Sequence, residues 1–260
     1  MATFLFDEII FGPVSSRRLG VSLGINLLPV TRKVCNFNCI YCECGWNHEN
    51  KGGKILFPSR GEVSNALTIK LTEMQDSGMK PDVITFAGNG EPTLHPDFPG
   101  IIDDTINIRD KFFPDAKIAV LSNSSTITIP GIREALLKVD KNILKMDSGF
   151  DLTVRVHNQP RVNIKVAELI ENLKSFNGQL IIQTLFLRGT YNGRTIDNTT
   201  PEELDAWLKA VDMIRPSEVM IYTISRDTPE GGSLRKVPLP ELREIAARVR
   251  KLGIETQVSG

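Results

Sequence analysis

The chain has 260 residues, of which 41% are hydrophobic and 24% are charged, a composition typical of an ordinary globular protein. Its 31 Lys and Arg residues balance its 31 Asp and Glu residues, so the net charge does not indicate a nucleic-acid partner. The sequence lacks the run of about 18 apolar residues that a membrane-spanning helix needs. Because no export signal is visible either, we expect a cytoplasmic protein.

Strands and helices are predicted to alternate along most of the chain. The first predicted elements are an apolar strand segment over 4–11, a turn at Gly12 and Pro13, and a strand over 24–28. Ser59 followed three residues later by Glu62 predicts the capped start of a helix that continues past Met74. Later strands are expected at 83–87, 117–121, 143–147, 180–186, 218–223 and 254–258, and later helices at 99–113, 129–138, 164–176, 201–213 and 240–252.

This order of elements predicts an α/β fold. Short β-branched runs separated by helices of ten to fifteen residues are typical of βαβ units with a parallel sheet. Six such units are enough to curl the sheet towards a barrel. No linker, charge block or low-complexity stretch divides the chain, so we expect one domain over residues 1–260.

The four cysteines, Cys35, Cys39, Cys42 and Cys44, fall within ten positions and indicate one soft-metal site. The first three are spaced so that each thiolate can reach a different iron of one cubane cluster, whose fourth iron then has free coordination sites. A structural zinc site is disfavoured because the sequence has no second cysteine knuckle. An electron carrier remains an alternative, with Cys44 as the fourth ligand only one residue beyond Cys42. A disulfide framework does not suit a chain that can build its own core.

The spacing C-x3-C-x2-C, with the aromatic residue Tyr41 before the last cysteine, resembles the cluster loop of the radical S-adenosylmethionine (radical SAM) enzymes. The run Gly88-Asn89-Gly90-Glu91-Pro92 is similar to the Gly-Gly-Glu-Pro motif of that family. Residues 12–20 resemble the segment that precedes the cluster loop in the branch related to the wybutosine-synthesis enzymes. The resemblance implies a partial (β/α)6 barrel with parallel strands, open on one side.

The resemblance also implies the cofactors and the residues that bind them. Cys35, Cys39 and Cys42 would hold a [4Fe-4S] cluster, whose open iron is chelated by S-adenosyl-L-methionine (SAM). The cluster would cleave SAM reductively to a 5′-deoxyadenosyl radical that abstracts hydrogen from a substrate. The residues expected to contact SAM or the substrate are Tyr41, Gly88, Asn89, Gly90, Glu91, Ser122, Asn123, Asp147 and Gln183.

Several of these expectations have structural alternatives. The glycines of the 88–92 run let backbone come close to a ligand, but the run could also be a plain turn. Ser122 and Asn123 follow an apolar strand, where an Asx-type turn also explains them. Lys145 and Asp147 share a strand face, so the two either pair with each other or one of them meets a ligand. Gln183 inside an apolar strand is at least as often a satisfied core polar group.

The expected partners follow from the resemblance as well. The substrate would be a small molecule or a modified nucleoside, and an external reductant such as flavodoxin or ferredoxin would supply the electron. The wybutosine-type archetype carries additional cluster cysteines, whereas this chain has only Cys44 beyond the first three. The sequence assigns no catalytic residue, and it leaves the roles of Cys44, Arg17, Arg18 and His157 open. His48, His95 and His157 are scattered and form no triad.

Overall fold

The computed structural model describes residues 4–16, 18–47, 55–226, 228–229 and 232–260, so Arg17 and His48 lie outside the described residues. The strands are β1 (Ile10–Ser16), β2 (Gly20–Ile25), β3 (Val83–Phe86), β4 (Lys117–Ser122), β5 (Lys141–Lys145), β6 (Ile181–Tyr191), β7 (Arg194–Asp197), β8 (Glu218–Thr223), β9 (Leu234–Lys236) and β10 (Glu255–Ser259). The helices are α1 (Arg60–Asp76), α2 (Phe98–Phe112), α3 (Pro130–Lys138), α4 (Asp151–His157), α5 (Val166–Lys174), α6 (Pro201–Ile214) and α7 (Leu239–Arg250), with a short 3₁₀ turn at Pro92–Leu94.

One curled sheet organises these elements, with the strand order β1-β2-β3-β4-β5-β6-β8-β10. From β2 to β10 every neighbouring pair in this order is parallel. Helices cross from strand to strand and cover the outer face, so the sheet forms a half-barrel. The expected α/β architecture, a partial barrel open on one side, is confirmed.

The first strand differs from the expectation that all strands are parallel. β1 pairs antiparallel with β2, and the register shifts between Phe11 and Val14. Gly12 and Pro13 therefore form a bulge inside the strand, where the sequence predicted a turn. β2 ends at Ile25 because the Asn26 side chain bonds the backbone of Leu28 in both directions, at 3.0 and 3.2 Å.

Helix α1 begins where the capping pattern predicts. The Ser59 hydroxyl accepts a hydrogen bond from the backbone N–H of Glu62, and the Glu62 side chain accepts one from the backbone N–H of Ser59. The apolar side of the helix then packs against the outer face of the sheet. Its buried residues are Val63, Leu67, Leu71 and Met74.

Three elements were not predicted. The segment after β5, for which no helix was predicted, contains α4, whose C-cap is Asn158. β6 continues beyond the barrel to Tyr191, where β7 and β9 pair with it antiparallel. The turn between β6 and β7 is Asn192-Gly193 with φ of 49° and 74°, the left-handed pair that a tight hairpin requires.

The carboxyl ends of the parallel strands all meet at one edge of the half-barrel. β2 leads into the cysteine loop, β3 into the Gly88–Glu91 turn, β4 into Asn123 and β5 into Asp147. In parallel α/β barrels this edge carries the active site. The topology thus brings together four segments that are far apart in the sequence.

Candidate functional site

The cysteine loop is held between two neighbouring segments. On one side Val34 forms a parallel bridge with Gly90, with its N–H donating to Asn89 O at 2.8 Å and its carbonyl accepting from Glu91 N at 3.0 Å. On the other side Phe37 bridges Pro160, which follows α4. These main-chain bonds clamp the loop at the strand ends before any cofactor binds.

Cys39 is buried and the other three cysteines of the loop are partly buried, and two of the thiols accept weak hydrogen bonds from asparagine side chains. Asn123 Nδ2 lies 3.5 Å from Cys35 Sγ, and Asn158 Nδ2 lies 3.5 Å from Cys39 Sγ. Burial raises the pKa of Cys35 to about 12, and burial also raises the pKa of Cys39. A soft metal that replaces the protons of these thiols would relieve the cost of deprotonation.

Cys42 behaves differently because Cys44 lies beside it. A hydrogen bond from the Cys44 thiol lowers the pKa of Cys42 to about 5 despite burial, and the Lys33 ammonium lowers it further. The pKa of Cys44 rises for the same reason, since its proton is shared with the Cys42 sulfur. Cys44 Sγ also lies 3.4 Å from Gly88 O. Cys42 is therefore held as a thiolate, the form that binds metals.

Lys33 is a buried cation that the sequence analysis did not single out. Its side chain is almost fully buried, and Nζ donates to Gly45 O at 2.9 Å. Burial by itself would lower the pKa of Lys33, but the neighbouring charges of Cys42, Cys35 and Cys39 raise it. In the sequence, the only indication of this role was the position of Lys33 two residues before the first cysteine. Its ammonium offsets part of the negative charge that several thiolates bring into one buried site.

The donor set fits an iron–sulfur cluster in its chemistry. Cys35, Cys39 and Cys42 supply three soft ligands from one clamped loop, with a cation beside them. Within the described residues no three His, Cys, Asp or Glu side chains are arranged around a single metal ion. Thiolates that bind different irons of one cubane do not need to converge on a common point.

The Gly88–Glu91 turn braces the cysteine loop. Asn89 is buried, and its side chain bonds both backbone groups of Phe6 at 2.8 Å. Gly90 has a φ of 138°, and a Cβ there would lie 1.9 Å from Val34 O. The space beside Gly90 is thus filled by the loop itself. The contact between the backbone of this turn and SAM stays a prediction.

Glu91 joins the ends of β3 and β4. One carboxylate oxygen accepts from Thr93 Oγ1 at 2.6 Å, and the other accepts from Asn123 N at 2.6 Å. Burial raises the pKa of Glu91, while these hydrogen bonds act in the opposite direction. The Asn123 side chain also contacts the cysteine loop, where its Nδ2 donates a hydrogen bond to Asn36 Oδ1 at 2.7 Å. Ser122 Oγ accepts from Ser124 N at 3.1 Å, the local turn that was the alternative explanation.

Asp147 connects the cysteine loop to the interior of the half-barrel. The Tyr41 hydroxyl donates to Asp147 Oδ2, which also accepts from Asn158 Nδ2 at 2.7 Å. Lys145 Nζ lies 3.5 Å from the same oxygen, so the two residues form the ion pair that was one of the two alternatives, with Asp147 just beyond the end of β5. The other oxygen, Oδ1, accepts from Leu185 N at 3.0 Å. Asn158, which the sequence analysis missed, thus contacts Cys39, Tyr41 and Asp147 together.

The charges in this network are fixed by their neighbours. Burial alone would lower the pKa of Lys145, but the charge of Asp147 and then the Tyr222 hydroxyl raise it. Burial and the negative charge of Asp147 both raise the pKa of Tyr41. Lys145 is therefore a buried ammonium and Tyr41 a neutral donor. Gln183 is paired in register with Lys145 on the neighbouring strand β6 and is buried.

We expect Asp147→Asn to lower the free energy of unfolding by about 3 kcal/mol, because it leaves the ammonium of Lys145 buried without its counter-charge. Asp103→Asn is the matched control, since Asp103 pairs with Lys138 at the surface with both side chains about half exposed. That change should cost less than about 1 kcal/mol. Urea unfolding of the two variants at pH 7 measures the difference. Equal costs would show that the Asp147 pair behaves as a surface pair.

His157 is buried at the end of α4, beside a cavity of about 180 Å³ that Thr153, Arg194 and Glu203 also line. Burial lowers the pKa of His157 to about 4, so the ring is neutral in the fold. The unfolded state takes up a proton below about pH 6.5 whereas the folded state does not. The contribution of His157 is therefore complete above that pH and is lost as the pH falls towards 4.

We expect the wild type to lose about 2 kcal/mol of unfolding free energy between pH 7 and pH 5 through His157. His157→Gln has no titrating ring, so its unfolding free energy should fall by about 2 kcal/mol less than that of the wild type over the same interval. Urea unfolding at the two pH values provides the comparison. The same pH dependence in both proteins would contradict the buried neutral state of His157.

Among the larger hollows formed by the described residues, two lie on opposite edges of the sheet. One, of about 330 Å³, is lined by the inner face of the half-barrel and by Glu43 of the cysteine loop. The other, of about 460 Å³, is lined by Asp82 and Ala116, which precede β3 and β4. We assign the candidate site to the first hollow, although it is smaller, because it lies at the carboxyl edge beside the cysteine loop. No helix in the described part of the chain is long and apolar enough to cross a membrane.

Comparison with solved structures identifies the fold as that of the radical SAM enzymes. A radical SAM methyltransferase from Sphaerobacter thermophilus superposes with a TM-score of 0.65 and 13% identity, covering 92% of this chain and 65% of that one. TYW1 with a lysine-pyruvate adduct bound gives a TM-score of 0.61 at 13% identity, covering 88% and 73%. At this level of identity the likeness concerns the fold. The resemblance expected from the cysteine motif is thereby confirmed.

Sequence relatives then identify the family. A UPF0026 protein from Helicobacter pylori strain J99 is 32% identical over 225 residues, covering 84% of this chain and 67% of that protein. This chain belongs to the UPF0026 family. A protein of Brachyspira hyodysenteriae described as GTPase Obg is 33% identical over 223 residues, but the chain spans only 30% of its length. No family model matches the chain.

Proposed function

We propose that this protein is a radical SAM enzyme that abstracts hydrogen from a substrate held in the half-barrel. The observation that carries the proposal is the clamped loop with Cys35, Cys39 and Cys42 at the carboxyl edge of a radical SAM fold. When bound, the [4Fe-4S] cluster and SAM would supply a 5′-deoxyadenosyl radical. The three cysteines would hold the cluster, and Lys33 would offset its negative charge.

The other residues of the site would orient these groups and keep water away. Tyr41 is fixed by Asp147 and Asn158, so its ring is placed rigidly between the cysteine loop and the half-barrel. The backbone of Gly88, Asn89, Gly90 and Glu91 would meet the methionine end of SAM. Ser122, Asn123, Asp147 and Gln183 would lie near its polar parts or near the substrate. Since Asp147 already accepts four contacts, its role would be to position Tyr41 and Lys145.

The proposal extends to the surroundings of the reaction. The whole chain, residues 1–260, would act as one catalytic domain in the cytoplasm. A flavodoxin or a ferredoxin would deliver the electron. An electron carrier without radical chemistry is less well supported, because only one residue separates Cys44 from Cys42 and the Cys44 thiol donates to Gly88 O at 3.4 Å. A fourth ligand would have to reach a different corner of the cube.

The test is the conversion of SAM to 5′-deoxyadenosine by anaerobically reconstituted, dithionite-reduced protein. The expected result is product formation that requires both reductant and an intact cluster. A Cys39→Ala protein treated in the same way is the control for non-enzymatic cleavage. Protein that carries a full complement of iron and still forms no 5′-deoxyadenosine would overturn the proposal and favour the electron carrier.

A further inference from the structure

Arg18 is a cation that lines the half-barrel, and none of the roles described so far involves it. It follows β1, and its guanidinium lies 4.5 Å from the ring centroid of Tyr222 on β8. Its main chain is fixed from two sides, with its N–H donating to Ser16 Oγ at 3.3 Å and its carbonyl accepting from Gln257 Nε2 at 2.8 Å. The backbone thus holds the arginine in place independently of its charged group.

One nitrogen of the guanidinium lacks a hydrogen-bond partner within the described structure. Arg18 Nη1 is buried and has no hydrogen-bond partner among the described residues. No carboxylate in the described part of the chain forms an ion pair with Arg18, whereas Lys145 pairs with Asp147 and Arg226 pairs with Glu43 at 2.8 Å. Buried polar atoms in proteins are normally hydrogen-bonded, so the unpartnered Nη1 of Arg18 calls for an explanation.

The surroundings of Arg18 form a ligand-sized space. Arg18 lines both the hollow of about 330 Å³ and an adjoining one of about 70 Å³ that reaches Tyr41 and Tyr222. The larger hollow falls within the usual range of small-molecule pockets. Its wall is apolar on the side of Phe6, Phe11 and Leu121. Glu43 also lines the hollow, but its carboxylate is already paired with Arg226 at 2.8 Å.

We propose that Arg18 binds an oxyanion of the substrate, a carboxylate or a phosphate group, and so anchors the substrate beside Tyr41. The planar guanidinium can donate two parallel hydrogen bonds to either group, which gives orientation as well as affinity. Lys145 also lies near Tyr222, with Nζ 3.4 Å from its hydroxyl, but its charge is already balanced by Asp147, so Arg18 is the cation available to the anion. This assignment of substrate class rests on the proposed function.

The test measures anion binding to the oxidised, reconstituted protein by calorimetry, without SAM or reductant. The probes are inorganic phosphate and acetate, with acetamide as the uncharged counterpart of acetate. The wild type should bind at least one of the two anions at a single site and should not bind acetamide. The anion that binds more tightly identifies the group. In Arg18→Met the affinity should fall at least tenfold, and Arg18→Lys should recover part of it.

Arg226→Met is the matched control, because Arg226 lines the same hollows but is mostly exposed and already paired. Its anion affinity should fall far less than that of Arg18→Met, since the change removes only the counter-charge of Glu43. Iron content and circular dichroism establish that each variant is folded. If Arg18→Met does not fold, Arg18→Lys is compared with the wild type in its place. Failure of the wild type to bind either anion would overturn the assignment, as would equal binding by the wild type and the folded Arg18 variant.

A separate titration with SAM decides which molecule supplies the anion. SAM affinity should be unchanged in the Arg18 variant. A tenfold loss would place Arg18 on the methionine carboxylate and overturn the substrate assignment. Because 5′-deoxyadenosine formation is measured on reduced protein without any anion probe, failure of this proposal and failure of the proposed function give different results.

Discussion

Alanine at Cys35, Cys39 or Cys42 is expected to abolish iron binding, while alanine at Cys44 retains it. Reconstituted wild type should hold about four irons per chain, and each of the three single variants should fall close to background. Each variant removes a thiolate that would hold a separate iron, and the remaining two cannot keep a cubane. Iron analysis and the visible absorption spectrum measure the effect.

Cys44→Ala is the matched control for these three variants. It removes a thiol that donates to Cys42, yet Lys33 still lowers the pKa of Cys42, so the thiolate should persist. Iron content and 5′-deoxyadenosine yield should therefore remain near wild type. Loss of the cluster in Cys44→Ala would make Cys44 a ligand and favour the electron carrier. A Cys35→Ala protein that kept its cluster and responded to SAM would refute the ligand assignment.

Gly90→Ala is expected to destabilise the protein by about 3–4 kcal/mol and to lower its iron content. The new Cβ would lie 1.9 Å from Val34 O, a main-chain atom that moves only if the cysteine loop moves. Val34 immediately precedes Cys35, so the displacement reaches the first proposed ligand. Urea unfolding and iron analysis after reconstitution measure the two effects.

Gly78→Ala is the matched control, which distinguishes the effect of the steric contact at Gly90 from the effect of a positive φ. Gly78 also has a positive φ, of 71°, but a Cβ there would have no atom within 4 Å. Alanine at that position should cost only about 1–2 kcal/mol and leave the iron content unchanged. Equal effects of the two substitutions would mean that the Gly90 turn does not hold the cysteine loop.

The sequence analysis identified the residues of the loop but explained the turn beside it differently. From the glycines at positions 88 and 90, the sequence analysis inferred that a ligand approaches the backbone closely. At Gly90 the structure has another part of the protein, Val34, in that space. The same residue type serves both purposes, so the sequence could not distinguish them.

The hairpin formed by β6 and β7 could have been predicted. Asn192-Gly193 is the strongest short-range signal for a tight hairpin, and it lies between Tyr191 and Arg194, which pair across the turn. Helix α4 was harder to predict, since its Asp151–His157 segment is only two turns long and is followed by Pro160. Its stability comes from docking on the cysteine loop, with the carbonyl of His157 accepting from Ile40 N at 2.9 Å.

By itself the sequence determined the alternation of strands and helices, the capped start of α1 and the cysteine loop. Each of these depends on residues a few positions apart, where spacing and side-chain chemistry are sufficient. Only the tertiary structure decided the contacts of Asn158 with Cys39, 119 positions away, and the place of Arg18 over Tyr222. These side chains meet because the parallel strands bring their carboxyl ends to one edge, and no local pattern in the sequence records which distant residues will face each other there.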